Sequence, residues 1–154
     1  MAIQEVLKST RRRKNGTPCI GLPLTHLEGF DFSFSGIKTA VINLNHKTPN
    51  LNQADLCASF QKAVTEMLIF NTKKAIKTYH ADKIVLAGGV SRNSYIRAEM
   101  DKMAKELNIK AYYPEPILCT DNAAMIAAQG YYDFMAGKRA DLYLNAVPNL
   151  KIAQ

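Results

Sequence analysis

Two short runs in this 154-residue chain combine small residues with polar side chains at the spacing of a ligand-binding turn. The first is Leu86-Ala87-Gly88-Gly89-Val90-Ser91-Arg92-Asn93. Paired glycines let a flat base or a phosphate approach the backbone with no Cβ in the way. Ser91 and Asn93 can cap the helix that follows, or Asn93 can present its amide to a ligand. A Gly-Gly turn also serves as a plain tight connection, and this run is neither a Walker loop nor a complete GxGxxG. The second run is Cys119-Thr120-Asp121-Asn122-Ala123-Ala124. Asp121 at the head of a small-residue helix reads first as an N-cap, and otherwise as a metal or phosphate ligand. Ala123, Ala124, Ala127, Ala128 and Gly130 would let that helix pack close to a neighbour.

Other chemistries find no constellation. His26, His46 and His80 have no mutual metal-ligand spacing and no HExxH occurs, so each reads as a surface or loop histidine. Cys19, Cys57 and Cys119 leave one cysteine over and show no CxxC. A disulfide framework and a cysteine-built zinc site are both disfavoured, and a reducing cytosol fits better. Cys57 falls in a helical apolar stretch and reads as packing. Met67, Met100, Met103 and Met125 lie on apolar faces and read as core.

The elements that must position these runs follow from periodicity. Residues 1–29 are the least regular, with a short helix over Ala2–Lys8 and loop composition from Arg11 to Gly21. Phe30, Phe32 and Phe34 alternate with polar residues, the pattern of a half-buried strand. Ile37, Ala40, Val41 and Leu44 then recur at helical spacing. Asn52 is the expected N-cap of a long helix, with Asp55 favouring its positive end. Leu56, Phe60, Val64, Met67, Leu68, Ala75, Ile76 and Tyr79 form its apolar stripe, and a helix of this length spans roughly 40 Å. Lys83–Ala87 reads as a short buried strand ended by Gly88 and Gly89. Ile96, Met100, Met103 and Leu107 mark a second amphipathic helix stopped near Asn108. Ile109–Tyr113 makes another strand, halted by Pro114 and Pro116, and a third helix starts near Asp121 or Asn122 and stops at Gly137. The order predicts an α/β fold with a mainly parallel sheet. Ligands of such sheets bind beyond the carboxyl ends of the strands, where both runs fall.

Composition sets the outer bounds. With 47% hydrophobic and 21% charged residues the chain is ordered, and its length suits one domain. No apolar stretch reaches the ~18–20 residues that cross a bilayer. Met1–Ser9 lacks the apolar block of a secretory signal. The formal charge is +7, and Arg11, Arg12, Arg13 and Lys14 supply four of those positives in a row. Such a run permits phosphate contact through counterion release, although a solvated segment near a terminus is the simpler reading.

Three segments taken together carry a family resemblance: Asp31–Val41 (DFSFSGIKTAV), Leu86–Arg97 (LAGGVSRNSYIR) and Cys119–Ala127 (CTDNAAMIA). In order and spacing they resemble the C-terminal half of the TsaD family, the tRNA threonylcarbamoyladenosine synthesis subunit once called O-sialoglycoprotein endopeptidase or glycoprotease. The likeness runs from about Phe30 to the C-terminus, leaving residues 1–29 as a poorly matched segment and 30–154 as a C-terminal lobe. It implies the second lobe of an actin/Hsp70-like (ribonuclease H-like) ATPase fold, with a mainly parallel sheet and flanking helices.

The resemblance implies transfer of a threonylcarbamoyl group from its adenylate to N6 of the adenosine beside the tRNA anticodon. It implies one bound iron or zinc ion, and adenine nucleotide or threonylcarbamoyl adenylate as ligand. By motif matching, Asp121 would be a metal ligand, Asn93 would bind the nucleotide, and Gly88 and Gly89 would let it lie against the backbone. Phe30–Ile37 would be structural, with Lys38 undetermined. Implied partners are tRNA, a paralogous actin-like subunit and a small P-loop ATPase subunit, in the cytoplasm and without a membrane. The family's other lobe, with two metal-binding histidines four apart, has no counterpart in these 154 residues. The chain alone is therefore expected to be inactive, with an apolar face open to that lobe or to self-association. The alternative is a non-catalytic nucleotide-binding or protein-interaction module of the same fold. The older peptidase name finds no catalytic base, complete metal set or nucleophile pair here.

Overall fold

The structure, a computed structural model, describes residues 16–148. The expected helix at Ala2–Lys8 and the basic run Arg11–Lys14 lie outside them. The chain divides into two compact units, Met1–Cys119 and Thr120–Gln154. Among the described residues, no helix is long and apolar enough to cross a membrane.

The first unit is organised by one long helix. Helix α1 spans Ser35–Lys47 and buries Ile37 and Val41, one helical turn apart. Helix α2 spans Gln53–Tyr79, 27 residues. It starts as its sequence predicts: the Asn52 side chain accepts from the amides of Ala54 at 2.9 Å and Asp55 at 3.4 Å. The Asp55 carboxylate accepts from the Thr17 amide at 2.6 Å, which anchors the preceding segment to the start of α2. Along α2 the apolar stripe feeds two cores. Leu56, Phe60 and Val64 pack with Ile37 and Val41 of α1, and Ile76 packs with Ile96, Met100 and Met103. Leu68 and Val90 touch both clusters, so the two cores are continuous. Each fully buried side chain of this size contributes ~1.5–3 kcal/mol. Tyr79, at the far end of the stripe, is instead exposed, its ring 5.2 Å from that of Phe30.

After α2, strand β1 (Lys83–Val85), helix α3 (Ser94–Glu106) and strand β2 (Lys110–Tyr112) form a β-α-β unit. The strands pair in parallel with Lys83 beside Lys110, Ile84 beside Ala111 and Val85 beside Tyr112. Asn108, the expected stop after α3, takes a left-handed φ of 53°. The sheet is mixed with helices as expected, and among the described residues it has two strands. Ile84 and Leu86 meet the second core cluster, whereas Val85 is 71% exposed. The expectation of a strand buried on both faces is therefore corrected: the described residues of the first unit cover one face.

The strand expected at Phe30–Phe34 does not form. Period-two alternation needs a neighbouring strand, and none of the described residues supplies one. Instead the carbonyls of Phe30 and Asp31 accept from the Asn71 side-chain amide at 3.3 and 2.7 Å. The Phe32 and Phe34 rings stack on each other at 5.8 Å, and α1 begins directly after them.

The second unit contains helix α4, Ala123–Met135. Its N-cap is Asn122, whose side chain accepts from the Met125 amide at 3.0 Å, not Asp121. Gly137, with φ 76°, follows its end as expected. None of its residues is buried. Met125 is 49% exposed, so within this unit it is not core.

Candidate functional site

The Gly88–Asn93 turn sits at the carboxyl end of β1. Leu86 extends the pairing, its amide donating to the Tyr112 carbonyl at 3.0 Å. The chain then reverses at Gly88, with φ 85° and ψ 166°. That region of backbone space is essentially reserved for glycine. A Cβ there would meet nothing within 4 Å, so the turn is open to an approaching ligand and the glycine is required by conformation alone. Gly89–Arg92 forms one 3-10 turn, its first backbone bond running from the Ser91 amide to the Gly88 carbonyl at 3.0 Å. The Ser91 hydroxyl donates to the same carbonyl at 2.7 Å. The Gly89 and Val90 amides precede that first bond and have no acceptor among the described residues.

Asn93 closes the turn as a cap and a tie. Its Oδ1 accepts from the amides of Tyr95 at 3.0 Å and Ile96 at 3.1 Å, starting α3. Its Nδ2 donates to Gln61 Oε1 on α2 at 2.8 Å. One amide hydrogen of the side chain is left for a ligand. The capping reading is thus what the structure shows, and Ser91 does not share it.

Arg97 is the residue that sequence reading missed. Its Nε donates to the Ser91 carbonyl, and its Nη2 donates to the Pro114 carbonyl at 3.1 Å and Cys119 Sγ at 3.2 Å. The guanidinium also lies 5.2 Å from the centroid of the Tyr113 ring. The Tyr113 hydroxyl donates to Asp101 at 2.8 Å. Burial first, and then the Asp101 hydrogen bond and charge, push the Tyr113 phenol up to about 12. The only sequence signal was the place of Arg97 four residues after Asn93, one helical turn along.

Gly88, Gly89 and Asn93 therefore share one turn of the first unit, whereas Asp121 belongs to the second. Asp121 is exposed and accepts no hydrogen bond from the described residues. No three His, Cys, Asp or Glu side chains among the described residues converge as a metal site. A structural or catalytic zinc needs three or four protein ligands, so the described residues do not by themselves fit the expected iron or zinc. His26 lies against Phe70 with ring centroids 4.0 Å apart, and His80 is the left-handed cap of α2. A separate groove of about 270 Å³ lies between residues 18–24 and Ser59, Lys62, Ala63 and Glu66 of α2, and none of the four predicted site residues lines it.

A β-α-β unit with an open glycine turn beyond the carboxyl end of a strand defines an α/β protein of the ligand-binding kind. Comparison with known proteins gives the family. The family model described as TsaD, tRNA N6-adenosine threonylcarbamoyltransferase, matches residues 1–128, and the chain belongs to that family. The tRNA N6-adenosine threonylcarbamoyltransferase of Symbiobacterium thermophilum is 51% identical over 142 residues, covering 89% of this chain and 42% of that protein. That of Clostridioides difficile is 49% identical over 148 residues, covering 92% and 44%. That of Carboxydothermus hydrogenoformans is 44% identical over 146 residues, covering 94% and 44%. The chain spans about two fifths of the length of the curated relatives it matches. The family match takes in residues 1–29, which the three-segment resemblance had set apart, and ends at Ala128.

Proposed function

We propose that this chain is the nucleotide-side lobe of a tRNA N6-adenosine threonylcarbamoyltransferase, built as the second lobe of an actin/Hsp70-like fold. The observation that carries the reading is the Gly88 turn, open above its backbone and placed where α/β sheets meet ligands. In it, the adenylate lies against Gly88 and Gly89. The free amides of Gly89 and Val90 and the remaining Asn93 hydrogen supply donors. In the transfer, N6 of the tRNA adenosine attacks the carbonyl carbon of the threonylcarbamoyl group. The bond from that carbon to the phosphate oxygen breaks, AMP leaves with the electron pair, and N6 gives up a proton. Beyond this lobe the reaction involves tRNA, a paralogous actin-like subunit and a small P-loop ATPase subunit.

The 154 residues by themselves complete no turnover in this reading. Asp121 is the single metal ligand assigned by motif, and one carboxylate does not hold a catalytic ion. The test is transfer of labelled threonine from threonylcarbamoyl adenylate to unmodified tRNA. The chain is assayed alone and with the complementary part of the Symbiobacterium thermophilum relative. Transfer only in the mixture supports the reading. Robust turnover by the chain alone, abolished by Asp121→Ala, overturns the incompleteness. The exposed flank of α4, with Tyr131, Tyr132, Phe134 and Met135, favours a second reading as an interaction module. Stable complex formation in the mixture without transfer would select it.

A further inference from the structure

The turns that follow β1 and β2 are tied together by one side chain. Among the described residues, every hydrogen bond of the half-buried Arg97 guanidinium goes to those two turns: Ser91 on one side, Pro114 and Cys119 on the other. Its flat face is taken by Tyr113, which is itself held by Asp101, four residues along α3 from Arg97. From Ser91 the chain of contacts continues through the hydroxyl to the Gly88 carbonyl. A planar fork can serve acceptors in different directions at once, and a lysine ammonium cannot reproduce that geometry.

We infer that Arg97 is the positioning residue of this site. It holds the Gly88–Gly89 turn at a fixed separation from the turn after β2, and so presents a preformed backbone to the ligand. The inference rests, for the identity of that ligand, on the nucleotide reading above. A preformed turn spares the ligand the cost of ordering it. Arg97 acts through Ser91 and Gly88 and touches no substrate.

The test uses amide hydrogen exchange on the 154-residue chain and on Arg97→Ala, Arg97→Lys and Cys119→Ala. Local opening is read directly by this measurement. In Arg97→Ala and Arg97→Lys, exchange over residues 88–92 and 114–119 rises together by about tenfold or more, with α2 unchanged. Guanidinium ion added in solution restores protection in Arg97→Ala and not in Arg97→Lys. Cys119→Ala, which keeps the bonds to Ser91 and Pro114, loosens 114–119 alone. A rise in one turn only, no rise, or an equal rise throughout α2 overturns the inference. AMP affinity on the same samples separates the two layers. If the unaltered chain binds no AMP, the nucleotide reading fails, while the exchange pattern still decides whether Arg97 couples the turns.

Discussion

Asn93 and Gln61 face each other across α2 and α3, with the Asn93 amide nitrogen 2.8 Å from Gln61 Oε1. The asparagine that the family resemblance assigns to the nucleotide is thus also the bolt between the long helix and the helix that leaves the glycine turn. Asn93→Ala removes a cap and this tie together and is expected to cost ~1–2 kcal/mol. Gln61→Ala removes the tie alone and costs less. Asn93→Asp keeps the cap but has no hydrogen to donate to Gln61 Oε1, so it loses the tie and is expected to fall near Gln61→Ala. Urea midpoints at constant m-value rank the three.

Gly88→Ala isolates conformation from crowding. The added methyl meets nothing within 4 Å, yet the backbone sits at φ 85°. A loss of ~1–3 kcal/mol is expected from backbone strain alone. Gly130→Ala, inside α4 and also with open space around the added methyl, is expected to hold or raise stability, because alanine is the better helix former. Equal effects at the two positions would contradict this account.

Phe60 and Met103 are 2% and 1% exposed and belong to different clusters on the same first unit. Phe60→Ala is expected to cost ~3–5 kcal/mol and Met103→Ala ~2–5 kcal/mol. Leu68 and Val90 link the clusters, so the double variant is expected to depart from additivity by more than the ~0.3–0.5 kcal/mol typical of independent sites. Denaturant unfolding of the cycle measures the departure.

These outcomes divide what the residues reveal in order from what only the fold brings together. The Asn52 cap, the α2 stripe and the glycine stop after α4 are local signals, and each was legible. The strand at Phe30–Phe34 was not, because alternation records a preference for a sheet and not the presence of a partner. The carbonyls there are met by Asn71, about 40 residues away. Arg97 was hidden for the same reason: two of its acceptors are backbone carbonyls, a group that every residue carries. At α4, Asp121 and Asn122 both carry capping side chains, and only the backbone decides that Asn122 is the cap. The glycine turn was legible as a turn, whereas the double use of the Asn93 amide needed Gln61.

Tyr113 supplies a pH test of the clamp region. Its phenol is raised to about 12, first by burial and then by the Asp101 hydrogen bond and charge. A pKa raised in the folded state means that its contribution to stability is fully present below pH 10 and is lost as pH rises through about 12. Of the seven tyrosines, Tyr113 is expected to ionise in the latest step of an alkaline titration followed by phenolate absorbance, with Tyr95 also raised, first by burial and then by the Glu99 and Glu66 charges. Tyr113→Phe removes that late step. Asp101→Asn moves it down without abolishing it, since burial remains. A step near pH 12 that survives Tyr113→Phe would place it on another residue.

The uncovered face of the sheet carries the last prediction. Val85 and Tyr112 are register partners on β1 and β2, and they are 71% and 48% exposed. Parallel sheets are almost always covered on both faces, because their apolar side chains alternate to either side of a backbone that helices must shield. Within the first unit, α3 and α2 shield one face, and none of its described residues covers the pair on the other. Two such faces from two copies can cover each other, and each apolar side chain removed from water in the contact favours association. The 154-residue chain is expected to self-associate as concentration rises, and Val85→Thr with Tyr112→Thr to suppress this. Threonine keeps the strand preference, so the helices and the β1–β2 pairing stay intact. Light scattering with circular dichroism on the same samples separates the effects. A chain that stays monomeric at high concentration, or a double variant that associates as strongly as the unaltered chain, would show that this pair is not the surface that seeks a partner.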